Sequence, residues 1–423
     1  MHNVLKFIFL SLLCMPLVAM DEWDWPDWQP ERDSADQKAF ARSLAPKQKD
    51  QINVGGVKAS IVSPFREVTS RRVYAQTENE HITELKWNPQ GTLLAVASNY
   101  KHPFIFNPSG NYNSGQEIPL DSKNTSYWPE HVAWNKSGKL LALGTLNKTV
   151  SIFDVAKKCI TRTIHDWDYS ASPAVAWSPT AENTLAICAS QFSPVRIYDI
   201  PEDPSEPIAH TDPIKLTDPG FDKRGYAGYP VRLEWRNGMI VMGYERGVHC
   251  MTTQDNKIQW MTSCEMGTCP RPPIAAHPSK HIIAYAAPKH IWDYWTKKHR
   301  MRWLIELRNP ENPYEESFVE AKELSEGTYV TDLSFSHDGR FLTATSSDGL
   351  VIMNADTLET LASIPLSGKS SCEPAQWNPT RHQLAYSIGR DLFITDPMTI
   401  EPEKSSLLKP QQSCINLKDL IKE

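Results

Sequence analysis

Between Leu85 and Asn99 the chain reads LKWNPQGTLLAVASN. Leu85 and Trp87 alternate with polar neighbours, the period of a strand with one buried face, and Asn88 to Gly91 supply the residues that stop it in a turn. Leu93 to Ala97 then reads as a second strand, too short for a helix and too apolar for the surface. One hairpin is not stable alone in water, so the chain must hold its partners.

The phrase recurs from His131 (HVAWNKSGKLLALGTLN), Ala174 (AVAWSPTAENTLAICAS), Arg232 (RLEWRNGMIVMGYE), Ile274 (IAAHPSKHIIAYAA), Leu333 (LSFSHDGRFLTATSSDG) and Pro374 (PAQWNPTRHQLAYSIGRD). A third apolar stretch follows each copy: FIFN at Phe104, VSIFDV at Val150, VRIYDI at Val195, VHCMTT at Val248, RWLIELR at Arg302, LVIMNAD at Leu350 and LFITDP at Leu392. Aligned on Trp87, Trp134, Trp177, Trp235, His277, Phe335 and Trp377, the copies are 47, 43, 58, 42, 58 and 42 residues apart. Such steps fit one four-stranded blade per repeat of about 40 to 45 residues, with insertions in the longer ones.

On these residues the chain from Ile82 to about Ile400 resembles the WD40-repeat family. The resemblance is carried by the W-[NS]-P-x-x-G-like turn and by the pairs Phe153-Asp154 and Tyr198-Asp199 that close third strands. No repeat has the family's full Gly-His dipeptide, and only two keep the aromatic-Asp ending. The resemblance implies an all-β, seven-bladed β-propeller with four-stranded antiparallel blades around a central channel. It also implies a blade shared by both chain ends, its strand coming from VKASIV at Val57 or RRVYAQ at Arg71. The repeated aromatics then read as core between blades.

Composition agrees: 40% hydrophobic residues and 32 Pro in 423 residues suit a large, turn-rich β protein. A net charge of -6 argues against a general nucleic-acid binder. Four segments are expected: a signal peptide at 1–20, an acidic Trp-containing arm at 21–50, the propeller at 51–400 and a tail at 401–423. FIFLSLLCMPLVAM has signal-peptide length and is short for a membrane span, so export to the periplasm or outside is expected; an uncleaved anchor is the rival reading. Leu13 before Cys14 is wrong for a lipoprotein signal. In the arm, DEWDWPDW sets Trp23, Trp25 and Trp28 among acids, a pattern that suits docking as well as a solvated arm. Asn124, Asn135 and Asn147 stand in weak glycosylation sequons.

In an exported chain Cys264 and Cys269 are the close loop pair suited to a disulfide. With His277 and His281 they imitate a zinc finger, but His277 fills the Trp slot of its repeat and the Cys269–His277 spacing is too short. No metal or cofactor is expected. G-x-S-x-G, H-E-x-x-H and phosphate-loop patterns are absent, so no local motif supports an enzyme.

In the resembled fold, the loops before first strands and between second and third strands share one face. On this chain they carry Trp128, Trp167, Tyr229 and Tyr329, and the longest of them, APKHIWDYWTKKHR, adds Trp292, Tyr294, Trp295, Lys297, Lys298 and Arg300. Rigidly held loops rich in Trp, Tyr and Arg suit partner binding. The preferred reading is an exported, non-catalytic scaffold for a protein or peptide, without nucleic acid and without a membrane span once the signal is removed. The second is a glycan-binding or glycan-processing propeller, because aromatics also stack on sugars.

Overall fold

Seven sheets of four antiparallel strands form in chain order. Blade one is Ile82–Trp87, Leu94–Ser98, Phe104–Phe106 and Gln116–Glu117; blade two is Pro129–Trp134, Leu140–Thr145, Thr149–Asp154 and Cys159–Ile164. Blade three is Ala174–Trp177, Thr184–Cys188, Arg196–Asp199 and Ala209–His210; blade four is Pro230–Arg236, Met239–Tyr244, Gly247–Thr252 and Ile258–Ser263. Blade five is Ile274–Ala276, Ile283–Asp293, Lys298–Arg308 and Ala321–Glu323; blade six is Val330–Phe335, Phe341–Ser346, Gly349–Asn354 and Thr360–Pro365. Blade seven takes Cys372–Trp377, Leu384–Ile388 and Asp391–Thr395 from the end of the ring and Ser70–Ala75 from its beginning. This is a computed structural model; it describes residues 52–54, 57–59, 70–75, 81–98, 102–109, 115–119, 129–165, 172–189, 195–212, 230–244, 247–252, 258–263, 273–293, 298–310, 321–323, 329–365 and 372–398. No helix occurs among them.

Of the two candidates for the closing strand, the one around Arg71 makes it. Arg71 pairs with Ile394 and Arg72 with Phe393, while Val57–Ala59 pairs with Ile52–Val54 in a separate two-stranded ribbon. Val73 is buried with Leu392, Ile394, Ile82 and Phe104, so the closing strand also joins the packing between blades seven and one. First strands of neighbouring blades pack against each other all round the ring, seven after one included. The buried residues fall into seven clusters, one for each interface between blades.

The aligned aromatics are core, as their repetition suggested. Trp87, Trp134, Trp177, Phe335 and Trp377 are buried and Trp235 is half-buried. The Trp134 indole donates to the Lys86 carbonyl at 2.8 Å, and the Trp87 indole to that of Gln376 at 3.1 Å, tying blade two to one and one to seven. The residue after the aromatic closes the turn. Asn88 Oδ1 accepts from the Thr92 and Leu93 amides at 2.8 and 2.9 Å, and Asn135 Oδ1 from Leu140 at 2.9 Å. Ser336 Oγ does the same for Phe341 at 3.0 Å. Asn135 is therefore no glycan acceptor: it is buried, with its amide on Glu182.

His277 fills the Trp slot in blade five and is 2% exposed. Its Nδ1 accepts from the Ser279 and Lys280 amides, and its Nε2 donates to the Gly339 carbonyl at 3.1 Å in blade six. Both ring nitrogens are engaged, so the imidazole is spent on the fold. Gly339 has φ of 74°, and a Cβ there would run into the His277 ring. Gly339→Ala is therefore expected to destabilise the protein by about 1–3 kcal/mol, read as a lower denaturant midpoint.

Candidate binding faces

Alternation along each first strand aims every second residue at the ring axis. In blade one these are Glu84 and Lys86, in blade two His131, in blade four Arg232 and Glu234, and in blade six Asp332. They meet across the channel. Lys86 Nζ lies 3.5 Å from Glu84 Oε1 and 3.9 Å from Glu234 Oε1, and Arg232 is 3.1 Å from Glu234 and also paired with Asp332. His131 stands 3.7 Å from Glu84. The acids also bind the backbone of a following blade: Glu84 accepts from Val132 at 2.8 Å, Glu234 from Ala276 at 2.8 Å and Asp332 from Ala375 at 3.0 Å.

Burial alone would push the Glu84 and Glu234 carboxyls up, but the neighbouring charges and hydrogen bonds outweigh it. Lys86, His131 and Arg232 hold Glu84 at about 2, and Arg232 with Lys86 holds Glu234 below its usual value. Burial draws the Lys86 ammonium down, and Glu84 opposes that shift. The layer is an ionised plug.

Above the plug, toward the turns between first and second strands, lies a cavity of about 350 Å³. Lys86 and Glu234 belong to its lining, Trp134, Trp177 and Trp235 wall it, and the exposed Lys136 and Arg236 stand at its edge. None of these residues was singled out as a binding group from the sequence. The signal was present: charge at inward positions of first strands, where blades two, three and five carry Ala133, Ala176 and Ala276.

The opposite face carries the connections from second to third strands. There the sequence expectation of a long loop in blade five is corrected. Residues 283–293 and 298–308 are paired strands of 11 residues each, in unbroken register from Ile283 with Arg308 to Asp293 with Lys298. The second strands of the other blades have 5 or 6 residues. Chain extending past its sheet leaves peptide groups without sheet partners, and pairing with itself supplies them. Trp292 thus stands opposite His299, and Ile291 opposite Arg300. Tyr329 begins the approach to blade six on the same face, is 45% exposed, and accepts a bond from the Ser347 amide at 3.1 Å. Trp128, Trp167, Tyr229, Tyr294, Trp295 and Lys297 lie outside the described residues, as do Cys264 and Cys269.

The WD domain, G-beta repeat family matches residues 321–353, the stretch spanning most of blade six. Among solved structures, the β-propeller domain of Cps50 (Swd1) from Myceliophteria thermophila is similar at 13% identity and TM-score 0.54, covering 77% of this chain and 99% of that one. The fold is a seven-bladed β-propeller, and the WD-repeat match falls on one stretch of it. U3-55K is similar at 13% identity and TM-score 0.56, over 78% of this chain and 98% of that one. No curated protein matches the chain. WD40 propellers typically serve as scaffolds for protein interaction and are generally non-catalytic.

In this propeller Arg232→Ala would leave Glu234 and Asp332 buried without their guanidinium, at an expected cost of about 3–5 kcal/mol in denaturant unfolding. The depressed carboxyls also set an acid limit. Their contribution is complete above the ordinary value of 4.5 and is lost as pH falls towards about 2, so wild-type stability should decline through that window. Arg232→Ala should flatten the decline.

Proposed function

We propose that this protein is an exported, non-catalytic scaffold that binds a protein or peptide partner on the face bearing the blade-five hairpin. The observation that carries this reading is the hairpin itself. Its two strands run well beyond the length that closes a blade, and the extension carries Trp292, Lys298 and Arg300 with Tyr294, Trp295 and Lys297 between them. Aromatic residues interleaved with cations along paired strands are the composition favoured where binding energy concentrates. The exposed Tyr329 lies on the same face.

Glycan hydrolysis finds less support. Its general acid needs a carboxyl raised toward neutrality, whereas Glu84 and Glu234 are held low by their cations. Export rests on the apolar run ending near Met20.

Trp292→Ala combined with Trp295→Ala, Lys297→Ala and Lys298→Ala should abolish retention of the partner that the wild-type chain captures from its native source, with an unchanged circular dichroism spectrum. Retention by both proteins would refute the assigned face. The protein recovered from its native compartment should begin at or near Asp21 by N-terminal sequencing; an intact Met1 would refute export.

A further inference from the structure

Where blade seven meets blade six, two turns bring together three side chains that the plug does not use. His337 and Asp338 belong to the turn after Phe335, and His382 to the turn after Trp377. One ligand atom from each lies within 4.8 Å of the other two. The His337 and His382 rings are 4.4 Å apart between centroids. We propose that His337, Asp338 and His382 form a binding site for a divalent transition-metal ion of the zinc class.

The donor set is the first argument. Two imidazoles and one carboxylate suit zinc and its neighbours, whereas calcium and magnesium prefer oxygen cages. A tetrahedral site with bonds of about 2.0–2.1 Å sets its ligand atoms roughly 3.3 Å apart, a contraction that side-chain rotation on two turns can make.

The second argument is an unmet valence. His337 Nδ1 is buried and has no hydrogen-bond partner among the described residues. In the next blade back His277 shows what a structural histidine does here, with both nitrogens occupied. A buried imidazole nitrogen without a partner costs free energy that coordination would recover.

The third is orientation. Asp338 is held by Ser336 Oγ at 2.7 Å and the Arg340 amide at 3.2 Å on Oδ1 and by His382 Nε2 at 2.9 Å on Oδ2, while the Arg340 side chain, its Nε 2.5 Å from Oδ2, competes for that oxygen. His382 is packed edge-on against Phe341 and Trp377. The ligands are therefore pre-aimed, and the ion would take the place of the proton that His382 gives to Asp338, leaving His382 protonated on Nδ1. His337 also lines the 350 Å³ cavity, so three protein ligands leave a fourth position near it for water or an incoming group.

The test is isothermal titration of the full chain with zinc chloride near neutral pH, repeated with His337→Gln and His382→Gln, and with cobalt as a spectroscopic probe. One equivalent of zinc should bind in wild type. Each His→Gln variant should lose at least about tenfold in affinity together with the tetrahedral cobalt absorption. Arg340→Gln removes the cation that competes for Asp338 and should bind zinc more tightly than wild type, a gain that misfolding cannot produce. Absence of zinc binding by wild type, unchanged affinity in both His→Gln variants, or weaker binding by Arg340→Gln would overturn the proposal.

Discussion

Everything in this structure depends on closing the ring. Each blade buries its faces against its two neighbours, so an open arc would leave two apolar sheet faces in water. The pairing of Ser70–Ala75 with Asp391–Thr395 prevents that, because it builds the last blade from both ends of the propeller. The closing strand contributes little through its exposed Arg72–Asp391 ion pair, where Arg72 is 60% exposed. Its weight lies in Val73, which enters the apolar cluster joining blades seven and one, and in backbone bonds that cover the edge of the sheet.

Closure also creates the channel, and the channel explains why polar residues recur in strands that are otherwise core. Seven first strands crowd one axis, with Ala133, Ala176 and Ala276 at one inward position of blades two, three and five and charges in blades one, four and six. Lys86 and Arg232 neutralise Glu84, Glu234 and Asp332, and the same acids bind the backbone of later blades. Charge pairing is thereby coupled to ring geometry: losing one cation strands carboxylates that also position neighbouring strands.

The repeat was legible because it is local. A strand, a side-chain-capped turn and a second strand occupy fewer than 20 consecutive residues, so Trp87, Asn88 and Gly91 could be read directly from LKWNPQG. The closing strand was legible only as one of two candidates, since its partner lies about 320 residues away. Polar neighbours of Leu85 and Trp87 read as a solvent face, yet Glu84 and Lys86 face the axis. Alternation distinguishes two faces of a strand and says nothing about whether the second meets water or six other strands. The blade-five hairpin read as a loop because charges and aromatics mask its period; its order comes from cross-strand pairing. The His337, Asp338 and His382 cluster joins two blades and has no linear spacing to reveal it.

The two ends of the ring thus differ, with the long paired strands of blade five at one and a charged cavity at the other. Hydrogen exchange of the protein with and without its captured partner separates them most directly. The account predicts slowed exchange in the amides of residues 289–300 and unchanged exchange in the turns around the cavity. Protection confined to those turns, with the hairpin unaffected, would contradict it.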